Sequence, residues 1–127
     1  MTDAKVVDAS AVAAVLFGEP ASDAIAARLV GAPLVAPTIL GFELSNVCLK
    51  KCRQHPEQRA ELIAAHRLGG RLLIEELDVD QDDTLALALE TGLSTYDASY
   101  LWLARNLAAE LVTLDRALAR AASASIR

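Results

Sequence analysis

Short β-branched runs alternate along the chain with longer stretches in which apolar residues recur at helical spacing. Residues 5–7 form a strand that ends at Asp8, and the Ala-rich stretch 9–17 is a helix closed by Gly18. Pro20 suits the first turn of a second helix, with Ile25 and Leu29 one turn apart and Gly31 as its stop. Between Pro33 and Pro37, residues 34–36 make a second strand; Thr38 is placed to cap a helix over 39–53 that ends near Pro56. Pro56 opens another helix, with Ala60, Ile63, Ala64 and Leu68 on one face, which stops at Gly69-Gly70. Residues 71–77 read as a third strand, and the acidic run 78–83 caps a helix carrying Leu85, Ala88 and Leu89 that ends at Gly92. Residues 93–96 read as extended and lead into Asp97 and a helix with Tyr100, Leu103, Ala104 and Leu107 at helical spacing. A fourth strand, 110–114, is followed by Asp115 and a last helix over 116–122.

Strands alternating with helices require crossover connections. The pattern therefore predicts an α/β fold, a three-layer α/β/α sandwich around a mainly parallel four- to five-stranded sheet. With 127 residues the chain has room for one domain, 1–127, and its 25 Ala and 21 Leu against 4% aromatic residues describe a helix-rich core of small side chains. The longest uncharged stretch, 29–42, is broken by Gly31, Pro33, Pro37 and Gly41 and is too short to cross a bilayer. Asp3 and Asp8 flank a very short apolar run where a signal peptide needs a basic start, so a cytoplasmic location is expected. Cys48 and Cys52 lie one turn apart on one predicted helix and read as free thiols; His55 and His66 alone do not complete a zinc site.

A net charge of -5 argues at first against a polyanionic partner. Its distribution weakens that argument, because residues 50–71 hold six basic and two acidic side chains while the rest of the chain carries -9. Where the acids sit decides the reading.

One local grammar recurs: Val-Val-Asp-Ala-Ser at Asp8, Ser-Thr-Tyr-Asp-Ala-Ser at Asp97 and Val-Thr-Leu-Asp-Arg-Ala at Asp115 each end an extended segment where a helix begins. Any one of these Asp residues reads more naturally as a helix cap than as a ligand. Strand-to-helix turns of a parallel sheet, however, share its carboxyl edge, where ligands bind, so the three can converge on one crevice. Glu43 lies within the predicted helix 39–53, either at the rim beside Lys50 or turned towards the Asp cluster. Four carboxylates in one crevice do not all stay ionised without compensation: some hold protons, or a hard cation such as Mg²⁺ or Mn²⁺ sits among them.

The segments around Asp8, around Glu43 and Asn46 (Gly-Phe-Glu-Leu-Ser-Asn-Val), around Asp97 and around Asp115 make the chain resemble, over nearly its whole length, the PIN-domain ribonucleases, and among them VapC-like toxins of toxin–antitoxin pairs. The resemblance implies that Asp8, Glu43, Asp97 and Asp115 are the catalytic acids and hold one or two Mg²⁺ or Mn²⁺ ions. Asn46 and Thr95 are lesser candidates beside them, and Ser10 and Thr113 are expected to cap helices or support the acids. It implies cleavage of single-stranded or looped RNA to 5′-phosphate and 3′-hydroxyl ends, a cognate antitoxin that offers a basic side chain to the acids, and a homodimer. RNA contact would fall to Lys50, Lys51, Arg53 and Arg116. Relatives usually continue into a last strand where this chain reads Ala-Ser-Ala-Ser-Ile-Arg, so the fifth strand is expected to be short or missing.

Rival readings fit less well. In the acidic run, Asp83 stands where a calcium loop needs Gly and Leu89 where it needs a bidentate Glu. No lysine follows Lys51, as a phosphate-receiver domain would require, and Ser10 stands where a haloacid-dehalogenase-like phosphatase has a second Asp. A catalytically inactive PIN-like module that binds RNA or protein is the alternative from another class, and the presence of all four acids counts against it.

Overall fold

In a computed structural model that describes residues 3–124, four parallel strands form one sheet in the order β3-β2-β1-β4. They are β1 (Lys5–Val7), β2 (Leu34–Pro37), β3 (Glu75–Leu77) and β4 (Glu110–Val112). Seven α-helices flank them: α1 (Ala9–Leu16), α2 (Ser22–Leu29), α3 (Leu40–Gln54), α4 (Arg59–Arg67), α5 (Gln81–Thr91), α6 (Thr95–Leu107) and α7 (Arg116–Ala124). Register pairs Val6 with Val35 on one side and with Leu111 on the other.

Successive strand residues point to opposite faces, so burial of neighbours reports on both faces at once. Val6, Val7 and Ala36 are fully buried and Val35 is buried, which means that helices cover the sheet on both sides in three layers. The core joins these strands to Ala11, Val12, Ile25, Leu40, Tyr100, Leu101, Leu103 and Leu118. At the far end of β1, Lys5 and Arg28 both pair with Glu110, tying α2 to β4. No helix among the described residues is long and apolar enough to cross a membrane.

Several expectations are corrected. Thr38 does not cap α3: Ile39 occupies that position, without a side-chain bond. Pro20 lies ahead of α2, whose first residue is Ser22. The helix opened by Pro56 begins as a single 3₁₀ turn, Pro56–Gln58. The third strand is only three residues long, because Leu68–Leu72 wind into a 3₁₀ turn after α4 and Leu73 turns left-handed at φ 52°, so extended backbone is reached only beyond it. Leu85 and Leu89 do not face the core; Thr84, Leu87 and Ala88 do. The all-apolar run Leu-Ala-Leu-Ala-Leu is compatible with either face, and packing chose the one with less bulk. Residues 93–96 are not all extended, since α6 already begins at Thr95. A fifth strand, if carried by residues 125–127, lies outside the described residues; up to Ala124 the chain is helix.

Candidate active site

The strand order gives the site its place. From β1 the chain moves outward through β2 to β3, then returns to the opposite side of β1 as β4. Connections therefore diverge at the carboxyl ends of β1 and β4, the point where open α/β sheets form their binding crevice. Asp8 directly follows β1, and Asp115 lies three residues past β4.

Asp8 is held from several sides. Its Oδ1 accepts the Ala11 N–H at 3.0 Å, which caps α1, and the Ser10 hydroxyl at 2.7 Å; its Oδ2 accepts the Thr113 hydroxyl at 2.5 Å. Ser10 Oγ in turn accepts the Leu114 N–H at 2.9 Å, and Thr113 Oγ1 accepts the Asp115 N–H at 3.0 Å. Ser10 and Thr113 thus sew the β1 turn to the β4 turn across the divide and orient Asp8 between them. Asp115 caps α7 through the Leu118 N–H at 2.9 Å.

Asp97 behaves differently. Ser94 caps α6 by accepting the Asp97 N–H at 3.1 Å, which places Asp97 in the first turn with its carboxylate released from capping. Glu43, in the first turn of α3, accepts the Tyr100 hydroxyl at 2.5 Å on Oε1. Its partner is therefore not Lys50. None of the four ion pairs found among the described residues involves Asp8, Glu43, Asp97 or Asp115.

Charge interactions link the four acids in pairs: Asp8 with Asp115, Glu43 with Asp97 and Asp8, and Asp97 with Asp115 and Asp8. Burial, opposed by the Thr113, Ser10 and Ala11 hydrogen bonds and reinforced by the charge of Asp115, leaves Asp8 above the usual carboxylate range. Glu43 is raised by burial and by Asp97 and Asp8 despite the Tyr100 bond, and Asp97 by burial, Asp115 and Asp8. Burial and the adjoining Glu43 push the Tyr100 phenol up as well.

The donor set suits a hard divalent cation in chemistry and charge, being carboxylate oxygen throughout and free of paired cations. Among the described residues, no three His, Cys, Asp or Glu side chains close into a ligating group as they stand. The fit is therefore one of donor type rather than of closed geometry.

The other candidates divide. Thr95 is the first residue of α6 and exposed; Asn46 is exposed on α3, one turn beyond Glu43. Lys50, Arg53 and Arg116 are exposed, whereas Lys51 is engaged with Glu19 at 2.9 Å and lies 5.4 Å from the centre of the Phe17 ring. Cys48 and Cys52 are free thiols, as expected, and the Cys48 thiol lies 3.6 Å from the Leu62 carbonyl. Sequence reasoning missed Tyr100, which reads as one more apolar position of α6; its spacing of three from Asp97 was the available signal.

Residues 5–124 match the PIN domain. The chain is 33% identical over 120 residues to Ribonuclease VapC3 of Pyrobaculum aerophilum, a match covering 90% of this chain and 91% of that protein. A crystal structure of PAE2754 from Pyrobaculum aerophilum superimposes with a TM-score of 0.72 at 29% identity, covering 95% of this chain and 87% of that one.

Proposed function

The chain belongs to the PIN-domain family, and from that premise we propose that it is a VapC-type ribonuclease, the toxin of a toxin–antitoxin pair, which hydrolyses RNA phosphodiester bonds with the help of Mg²⁺ or Mn²⁺. The observation that carries the metal-dependent reading is the electrostatic coupling of Asp8, Glu43, Asp97 and Asp115 at the carboxyl edge of the sheet, with none of the four ion-paired to a cationic side chain of the described residues. These four acids would hold one or two ions. A divalent ion bound there would supply a water of lowered pKa and offset charge on the scissile phosphate and leaving oxygen.

The chain's own groups supply the remainder. Thr113, Ser10 and the Ala11 N–H orient Asp8, while Ser94 frees Asp97 to face the crevice. No His lies among these acids, and proton transfer falls to water and carboxylate. Lys50, Arg53 and Arg116 are the exposed basic groups proposed to receive the RNA backbone; Lys51 serves Glu19 instead.

The family reading extends to partners and place: a cognate antitoxin that carries a basic side chain to the acids, a homodimer, and action in the cytoplasm. Exposed Phe42 and Leu89 supply apolar surface for such contacts. Growth arrest on expression of the chain alone, relieved by the antitoxin, supports the pair; sedimentation as a monomer at tens of micromolar would refute the dimer. Cleavage mapping on total RNA with Mn²⁺, and EDTA as control, tests the activity. Parent protein that leaves RNA intact with Mn²⁺ supplied overturns it.

A further inference from the structure

Tyr100 is 1% exposed, and the chemistry proposed above makes no use of it. We propose that Tyr100 is the positioning residue of the crevice: by donating its hydroxyl to Glu43 Oε1, it holds the Glu43 carboxylate beside Asp97 and Asp8 without neutralising it, and so sets the affinity for the divalent ion. The inference rests on the metal-dependent reading and deepens it.

Three observations carry it. At 2.5 Å the contact falls in the short class of hydroxyl-to-carboxylate bonds, which are stronger than bonds between neutral groups. The donor is fixed, since a buried ring in the core has few rotamers, whereas Glu43 is a half-buried side chain with three rotatable bonds that would otherwise disperse. The donor is also neutral. A Lys or Arg would orient Glu43 equally well but would bring a cation into competition with the metal, and no ion pair of the described residues reaches Glu43. Because Tyr100 and Asp97 lie one turn apart on α6, that single helix delivers one acid directly and places a second, from α3, through the phenol.

The test is Mn²⁺ binding, followed by electron paramagnetic resonance of free Mn²⁺, in parent, Tyr100→Phe, Glu43→Gln and the double variant. Phe keeps the ring and the core packing. Tyr100→Phe is expected to weaken Mn²⁺ binding about ten- to hundredfold, the usual effect of losing a hydrogen bond to a metal ligand, with its circular dichroism unchanged. In the Glu43→Gln background the same substitution is expected to change nothing further. Parent-like Mn²⁺ affinity in Tyr100→Phe, or an equal loss with and without Glu43, overturns the proposal. Since the chain has two tyrosines, fluorotyrosine incorporated into a Tyr96→Phe protein reports on position 100 with the phenol hydroxyl and Glu43 both retained. Its ¹⁹F resonance is expected to move on Glu43→Gln and to broaden with Mn²⁺; a resonance indifferent to both refutes the brace. A parent that takes up no Mn²⁺ overturns the metal site itself and the brace's purpose with it, whereas a parent that binds beside an equally competent Tyr100→Phe overturns the brace alone.

Discussion

Ser94, three residues ahead of Asp97, accepts the Asp97 N–H at 3.1 Å and caps α6 in its place. A carboxylate that would otherwise turn back on its own helix is thereby left to the crevice. The same division of labour does not hold at Asp8 or Asp115, which cap α1 and α7 themselves.

Ser94→Ala removes the cap and is expected to cost about 1 kcal/mol of stability. Urea denaturation measures it, and Ser94→Asp should restore most of the loss. An unchanged midpoint in Ser94→Ala would mean that the cap contributes nothing.

Asp97→Asn is expected to abolish metal-dependent cleavage and yet to stabilise the metal-free fold at neutral pH. Asp97 is raised by burial, Asp115 and Asp8, so the folded state binds its proton more tightly than the unfolded chain does. Such a group contributes stability below its ordinary pKa of 3.8 and loses it as pH rises through the raised folded value. With ionised Asp97 removed, Tm in EDTA at pH 7 should rise by roughly 2 °C, a half-exposed charge being partly screened. The gain should vanish below pH 3.8; a gain equal at both pH values contradicts the assignment.

Mn²⁺ should stabilise the parent by mass action, by about 2.7 kcal/mol at a free concentration one hundred times its Kd, and EDTA should reverse the effect. Protonation competes with the ion for the raised Asp8, Glu43 and Asp97. The Mn²⁺-induced rise in Tm is therefore expected to grow with pH across the window just above the usual carboxylate range. Asp97→Asn should show a much smaller rise, and a rise independent of pH would point to ions bound elsewhere.

Ala108 ends α6 in the left-handed conformation at φ 52°, a position that costs a residue with a Cβ about 1 kcal/mol. Ala108→Gly removes that strain and, on an exposed residue, disturbs no packing. It is expected to raise stability by about 0.5 kcal/mol after the greater freedom of Gly in the unfolded chain is subtracted. Thermal melting decides it, and a lower Tm would show that the strain is absent.

Much of the fold was legible in order along the chain. Val6-Val7 before Asp8, the paired prolines around β2, and the stops at Gly18, Gly31 and Gly92, all at positive φ, mark elements through local preferences that tertiary contacts then reinforced. Errors fell where local preference is weak or divided. Leu72, Leu73 and Ile74 resemble a strand, yet the Gly69-Gly70 pair lets the chain wind first; Leu85 and Leu89 suit a core that Thr84, Leu87 and Ala88 in fact reach.

The candidate site was legible as residue types and only partly as relationships. By itself the sequence determined the α/β class, Asp8 and Asp115 as the acids that follow strands, and the resemblance that adds Glu43; Asp97 it placed at a helix start, where the structure has Ser94 as the cap and Asp97 in the first turn. Tertiary structure alone decided that β4 returns beside β1, that Thr113 and Ser10 grip Asp8 across that divide, and that Tyr100 meets Glu43, fifty-seven residues away in the chain. The reason is physical: caps and turns follow from interactions within a few residues, whereas mutual repulsion, burial and a hydroxyl's choice of acceptor depend on which distant segments the sheet brings together.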